Sequence, residues 1–202
     1  MTAPYAPTDS DVRQAIIDNV RRFVAREVIP QAAAFERADE FPTAIVDGMR
    51  DLGLFGVTIP ESYGGLGLDL FTYIGVIEEL AYGWMSLTGI INTHTMAATL
   101  LMAHGTDEQK QRWLPTMATG ERRGALSLSE PDAGSDTRNI ACKATKDGDS
   151  YVLNGTKAWV TNGVRAGVVA LAARTEEGIS TFIVDKEPGE SFEGSEVSQH
   201  VG

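Results

Sequence analysis

The chain has 202 residues, 43% of them hydrophobic and 22% charged, the balance of an ordinary globular protein with room for one large or two modest domains. Lys and Arg number 17 against 28 Asp and Glu, and the resulting formal charge of −11 argues against nucleic acid or an acidic membrane surface as a partner. A single cysteine, Cys142, excludes an internal disulfide and suits a reducing compartment. No apolar run reaches the ~20 residues needed to span a bilayer. The longest, Leu87 to Ala103, is interrupted by Asn92, Thr93, His94 and Thr95. Met1 to Asp11 carries neither an apolar signal core nor an Arg-rich transit pattern, so the chain reads as a bacterial cytoplasmic protein ahead of a processed mitochondrial-matrix one.

The first 120 residues have a helical texture. Thr8-Asp9-Ser10-Asp11 offers caps and first-turn acids, and Val12, Ile16, Val20 and Phe23 follow at steps of three or four. Pro30 should kink or restart that helix, and Pro42 sits well at the start of the next, which Gly53 or Gly56 can close. Ile59 to Asp69 is a Pro/Gly loop; it has no Gly-x-Gly-x-x-Gly, because position 70 is Leu, so a dinucleotide-binding turn is disfavoured. Asp69 to Gly83 and Ser86 to His104 read as two helices, the second apolar on nearly all sides and so inside a bundle. Thr106-Asp107-Glu108-Gln109 has capping-box spacing and starts a helix through Trp113.

After Gly120 the texture changes to strands: Gly124 to Leu128, Asn139 to Thr145, Tyr151 to Asn154, Ala158 to Thr161, Val168 to Arg174 and Thr181 to Val184. Lys146-Asp147-Gly148-Asp149 and Asn154-Gly155 supply turn signals between them. The expected fold is α+β, an N-terminal α-helical bundle (1–121) followed by an antiparallel β-sheet or barrel domain (122–202). Glu187 to Glu196 is Gly- and acid-rich and reads as a surface loop.

The stretch that organises the chain is Ser129-Glu130-Pro131-Asp132-Ala133-Gly134-Ser135-Asp136. Pro131 ends the preceding strand, and the small and hydroxyl residues let a ligand approach the backbone closely. About twenty residues on comes Asn154-Gly155-Thr156-Lys157-Ala158-Trp159-Val160-Thr161-Asn162-Gly163. Trp159 could fill core, as strand tryptophans usually do, or lie against a ligand, which its polar neighbours Lys157, Thr161 and Asn162 suit better. Other chemistry finds little support. His94, His104 and His200 have no metal-ligand spacing, there is no Gly-x-Ser-x-Gly or Cys–His couple, and the Asn154-Gly155-Thr156 sequon is better read as a turn. Cys142 reads as a strand residue.

Together the two segments resemble the acyl-CoA dehydrogenase family, whose signature is a hydroxyl residue then Glu-Pro-x-Ala-Gly-Ser-Asp, later Asn-Gly-x-Lys-x-Trp-aliphatic-Thr-Asn-Gly. Pro60-Glu61-Ser62-Tyr63-Gly64-Gly65-Leu66-Gly67 and Trp113-Leu114-Pro115 are similar to family segments as well. The resemblance implies FAD as cofactor, an acyl-CoA substrate, electron-transfer flavoprotein as electron acceptor, and a homo-oligomer (dimer or tetramer) in the full-length form, acting in β-oxidation of fatty acids. The negative charge is no obstacle to these anionic ligands, because distant charges are screened within about 8 Å at physiological salt. By the match, Leu126, Ser127, Leu128 and Ser129 line the flavin ring, Gly134 is a further cofactor-binding residue, and Ser135 sits where flavin-phosphate and acyl-CoA contacts meet. Trp159, Val160 and Thr161 complete the flavin contacts, with Trp159 beside the ring and Thr161 near its N5. Family members carry the base that removes the α-proton in a third, helical domain, so it is expected beyond Gly202, and the chain reads as the family's N-terminal part. Glu78, Glu79 and Glu130 are not assigned that role. The alternatives are a non-catalytic partner subunit or fragment of the same family, and a same-fold flavin oxidase such as a nitroalkane oxidase.

Overall fold

A computed structural model describes residues 7–188 and the backbone of 200–201. The expected loop from Glu187 to Glu196 lies almost wholly outside the described residues, as does the side chain of His200. Chain contacts divide the molecule into two compact units: one runs up to Asn92 and takes in Ala118–Gly120, the other comprises Thr93–Met117 and the residues from Glu121 onward.

In the first unit Asp9 caps α1 (Ser10–Phe23), its carboxylate accepting from the N–H groups of Asp11 and Val12. The helix then widens into a π turn, Val24–Val28, before α2 (Ile29–Ala38) begins with Pro30 in its first turn. The ring lacks an N–H, so the restart expected at Pro30 is met by one wide turn ahead of it. The next helix, α3 (Thr43–Asp51), starts after Pro42 and is closed by Gly53, whose left-handed φ of 71° suits a residue without a Cβ. Val20, Val24, Val28, Ile45, Met49 and Phe55 pack with Val76 and Leu80 of α4 (Leu70–His104) into one apolar core.

At Trp84 α4 is broken, where φ −164° and ψ 108° are extended rather than helical. The two helices read from Gly83 and Ser86 are therefore real, although the pair counts as one element of 35 residues. As a whole α4 is long and apolar enough to cross a membrane by length and composition, which the interrupted run of residues did not suggest. Its break, and the burial of Val76, Leu80, Leu87 and Ile91 in the core, fit a core helix.

In the second unit the capping box at Thr106 is realised in both directions. Thr106 N–H donates to Gln109 Oε1 at 2.8 Å and Gln109 N–H to Thr106 Oγ1 at 3.2 Å. Helix α5 (Asp107–Ala118) runs past Trp113 and through Pro115, its Trp113, Leu114 and Met117 fully buried; this packing offsets the lost backbone bond. His94 is buried and accepts at Nδ1 from the Gly124 N–H at 2.9 Å.

The strands are β1 (Arg123–Ser127), β2 (Lys143–Asp147), β3 (Ser150–Asn154), β4 (Ala166–Arg174), β5 (Ile179–Asp185) and β6 (His200–Val201). They form one sheet in the order β3-β2-β4-β5-β6, with β1 beside β4. The helical part followed by a sheet part is the expected architecture, but the sheet is mixed: β1 and β2 both run parallel to β4, while β2–β3, β4–β5 and β5–β6 are antiparallel. Gly148-Asp149 makes the two-residue turn of the β2–β3 hairpin. Ala158–Thr161, by contrast, is not a strand, and Asn154-Gly155 therefore turns no hairpin. Arg122 ties the start of β4 to the end of β5, donating to the carbonyls of Gly167 (3.1 Å) and Lys186 (2.9 Å) and pairing with Asp185. Burial alone would push the Asp185 carboxyl up, but Arg122, the Trp113 Nε1–H and Arg112 together hold it below its usual range.

Candidate functional site

The strand β1 is buried along most of its length because it lies beside β4, whose residues from Ala166 to Ala173 are all buried. A strand so enclosed needs apolar residues on both faces, as Ala125 and Leu126 provide. Ser127 breaks the pattern. It is fully buried and its Oγ has no hydrogen-bond partner among the described residues. Leu128 follows, half-buried against Ala133, Ile140 and Ala172, and the chain then turns at Glu130, which exchanges backbone hydrogen bonds with Ala133.

Glu130 is the centre of this turn. Its carboxylate accepts from the N–H groups of Ala141 (2.5 Å) and Cys142 (3.0 Å) and from the Lys157 ammonium at 2.9 Å, with side chains only 5% and 8% exposed. Burial by itself would raise the carboxyl's pKa; Lys157 and the two backbone donors outweigh it and keep Glu130 below the ordinary range. Lys157 spends a second proton on the Leu128 carbonyl at 2.9 Å, and the next residue, Ala158, donates its N–H to the Ser129 carbonyl, also at 2.9 Å. The segment 157–163 is thus fastened to the end of β1. Gly155 allows the approach, since a Cβ there would stand 2.5 Å from the Cα of Cys142. Cys142 itself is buried, which pushes its thiol pKa up and fits a packing residue.

Strand geometry is abandoned in this segment because Trp159 (φ 58°) and Asn162 (φ 64°) adopt left-handed backbone, where β-branched and aromatic residues are strained. Asn162 is pinned there by its side-chain N–H donating to the Gly124 carbonyl at 3.1 Å. The consequence is that Trp159 projects outward with 94% of its surface exposed. Thr161 is exposed beside it, while Val160 packs inward against the sheet core. Gly134 and Ser135 are exposed on the turn after Ala133, and a Cβ at Gly134 would meet nothing within 4 Å. Packing within the chain therefore does not require glycine at that position.

The residues singled out in the sequence fall into three groups. Ser129 and the Trp159–Thr161 segment are brought together directly through Lys157 and Ala158, with Leu128 in the same framework. Leu126 and Ser127 lie in the strand that leads to it, and Gly134 and Ser135 in the exposed turn that leads away. Lys157 and Glu130 form a buried ion pair that the sequence reading did not foresee, although both lie inside the two motifs.

These residues fit a flat, polar-rimmed aromatic group. Two exposed hydroxyls, a glycine with open space in front of it and an uncovered indole face are the donors and surfaces such a group would use. Comparison with known proteins points the same way. The model of the acyl-CoA dehydrogenase N-terminal domain matches residues 10–121, and that of the acyl-CoA dehydrogenase middle domain matches 125–202. A (2S)-methylsuccinyl-CoA dehydrogenase of Cereibacter sphaeroides is 38% identical over 183 residues, 87% of this chain and 33% of that protein. The mitochondrial short-chain specific acyl-CoA dehydrogenase of Bos taurus is 39% identical over 181 residues, 86% of this chain and 44% of that protein. A glutaryl-CoA dehydrogenase from Mycobacterium smegmatis, solved in complex with FADH2, superposes with a TM-score of 0.82 at 29% identity, over 96% of this chain and 53% of that one. The chain thus spans less than half the length of these two curated relatives, which come from a bacterium and from mitochondria.

Proposed function

The chain belongs to the acyl-CoA dehydrogenase family, and from that premise we propose that it forms the FAD-holding part of an acyl-CoA dehydrogenase, which oxidises an acyl-CoA thioester to a trans-2-enoyl-CoA and passes electrons to electron-transfer flavoprotein. The observation that carries the reading is Trp159, held fully outward on a loop whose strained backbone is fixed to β1 by Lys157, Ala158 and Asn162. Strain maintained by a buried ion pair and convergent hydrogen bonds, with an aromatic face left uncovered, is what a preorganised ligand clamp requires. In this reading the indole lies beside the flavin ring, while Ser129 and Thr161 offer hydroxyl hydrogen bonds. Leu126, Ser127, Leu128 and Val160 complete the wall, and Gly134 and Ser135 leave room for the phosphates and the acyl-CoA. When bound, FAD supplies the hydride acceptor that no amino-acid side chain provides.

Glu130 is not offered as the base. It is buried, ionised and fully engaged by Lys157 and two backbone N–H groups, so its role is to position the loop. That engagement favours one second reading, a family member that binds flavin or acyl-CoA without turning it over. A bacterial cytoplasmic location and a homo-oligomeric full-length form belong to the leading proposal.

Flavin reconstitution tests it. The folded chain mixed with FAD and desalted should keep the yellow absorption bands, and flavin fluorescence should fall as Trp159 stacks. A chain that remains folded and colourless overturns the proposal. Measurable α,β-dehydrogenation of any acyl-CoA by this chain would exclude the second reading.

A further inference from the structure

The loop that carries Trp159 is tied to β1 at two places. One is the end of the strand, where Lys157 and Ala158 donate to the Leu128 and Ser129 carbonyls. The other is its beginning, where the Asn162 side chain donates to the Gly124 carbonyl at 3.1 Å. The first tie is reinforced by the buried Lys157–Glu130 ion pair. The second is an amide hydrogen bond, only as well placed as the carbonyl it reaches. Asn162 can therefore keep its left-handed backbone (φ 64°) only as firmly as Gly124 itself is held.

What holds Gly124 comes from a helix. From Thr93 onward α4 belongs to the sheet unit, and its buried His94 accepts the Gly124 N–H at Nδ1, 2.9 Å away. An extended residue turns its N–H and C=O to the same side of the strand, so the imidazole and the Asn162 amide meet β1 side by side. Strand pairing does less here than elsewhere. Among the described residues β1 has β4 as its one strand neighbour, and their register slips between Arg123 and Gly124, so the ladder does not by itself fix this end of β1. The glycine lets helix and strand close to bonding distance: a Cβ at 124 would stand 2.9 Å from the Ala97 Cβ and from the Met117 Cε. Accepting at Nδ1 requires a bare nitrogen there, so the ring is the neutral tautomer with its proton on Nε2.

We propose that His94 is a positioning residue for the Trp159 loop: by fixing Gly124 from the helix side, it sets where Asn162 anchors and so how the indole is presented to a ligand. The path is two hydrogen bonds long and passes through one residue. The ligand is the flavin of the proposed function, and only the binding arm of the test rests on that reading.

In the unaltered chain, nitrogen NMR should place His94 Nδ1 at the shift of an unprotonated ring nitrogen; a protonated Nδ1 overturns the proposal, and this measurement needs no variant. With fluorotryptophan at the chain's three tryptophans, the Trp159 fluorine line is the one that Trp159→Phe removes. His94→Leu keeps an apolar side chain without the acceptor. It should shift or split that line and weaken FAD affinity about fivefold, the worth of one hydrogen bond. His94→Asn puts an amide oxygen on Cγ, where Nδ1 stands, and should restore both. Asn162→Ala should reproduce the effect of His94→Leu, and the two together should do little more than either alone, because they break one path. A Trp159 line indifferent to His94→Leu in the folded chain, no restoration by His94→Asn, or additive effects of the two changes would each overturn the proposal. A chain that takes up no FAD at all overturns the flavin reading instead, while the Trp159 line still decides the role of His94.

Discussion

Two buried carboxylates, Asp69 in the helical unit and Glu130 in the sheet unit, are held ionised by the same device and put to different ends. Asp69 caps α4. It accepts from the Thr72 N–H and hydroxyl at 2.8 Å each, from the Thr8 N–H at 2.9 Å and from Arg13 at 2.8 Å. The Thr8 backbone donor does most to hold it far below the carboxylate range, with Thr72 and Arg13 adding to it against the cost of burial. Thr72 serves a regular helix start, and Thr8 and Arg13 tie the beginning of α1 to it. Glu130 also collects backbone donors and a cation, but the cation comes from a loop with left-handed residues, and the pair's work is to keep that loop and its tryptophan in place. The difference teaches how to tell a carboxylate that secures a regular helix from one that fixes a strained loop. Burial and ionisation are common to both; what separates them is whether the partner belongs to a relaxed element or to a strained one.

Breaking each cluster separates the two roles. Lys157→Met leaves Glu130 buried without its cation and should cost about 3–5 kcal/mol, read as a lowered urea midpoint of the sheet unit together with loss of FAD retention. Asp69→Ala removes a cap and should cost about 1–2 kcal/mol with FAD retention unchanged. Acid sharpens the contrast. Both carboxyls are depressed in the folded chain, so below about pH 4–5 the unfolded chain binds more protons. Stability is full above that range and declines as pH falls through the folded-state pKa values; Asp69→Asn should flatten the acid limb of the helical unit alone, followed by circular dichroism against pH. Trp159→Ala should leave stability within about 0.5 kcal/mol, since an exposed ring contributes no core. Its effect should appear in flavin affinity, about tenfold weaker by titration if one aromatic stack is lost. The smallest effect belongs to Ser127→Ala. Removing a buried hydroxyl without a partner should be neutral or raise the melting temperature slightly, with FAD binding unchanged because the hydroxyl has no accessible surface.

Local signals carried much of this. Pro30, the Gly83–Ser86 gap, the Thr106 capping box and the Gly148-Asp149 turn act within a few residues, so they are readable from the residues themselves. What was not readable depends on distant partners. The parallel pairing of β1 with β4 joins residues some forty positions apart, and no local pattern distinguishes it from an antiparallel neighbour. Ala158–Thr161 has strand composition, Trp, Val and Thr, yet Lys157 and Asn162 anchor it to β1 in a conformation that the composition does not encode. The two motifs supply the residues of the candidate site; the Lys157–Glu130 pair joins positions 27 apart, a contact that no local pattern encodes.

The Arg122 guanidinium has a consequence for motion. By gripping Gly167, Asp185 and Lys186 at once, it closes the end of the sheet where β4 begins and β5 finishes, a place where paired strands ordinarily fray. The opposite end is closed by the 175–178 turn, where the Thr175 N–H donates to the Gly178 carbonyl and Arg174 to that of Ile140, so the β4–β5 ladder is fastened at both ends. Amide protons from Val168 to Ala170 should therefore be among the last to exchange with deuterated solvent, and Arg122→Ala should speed them selectively.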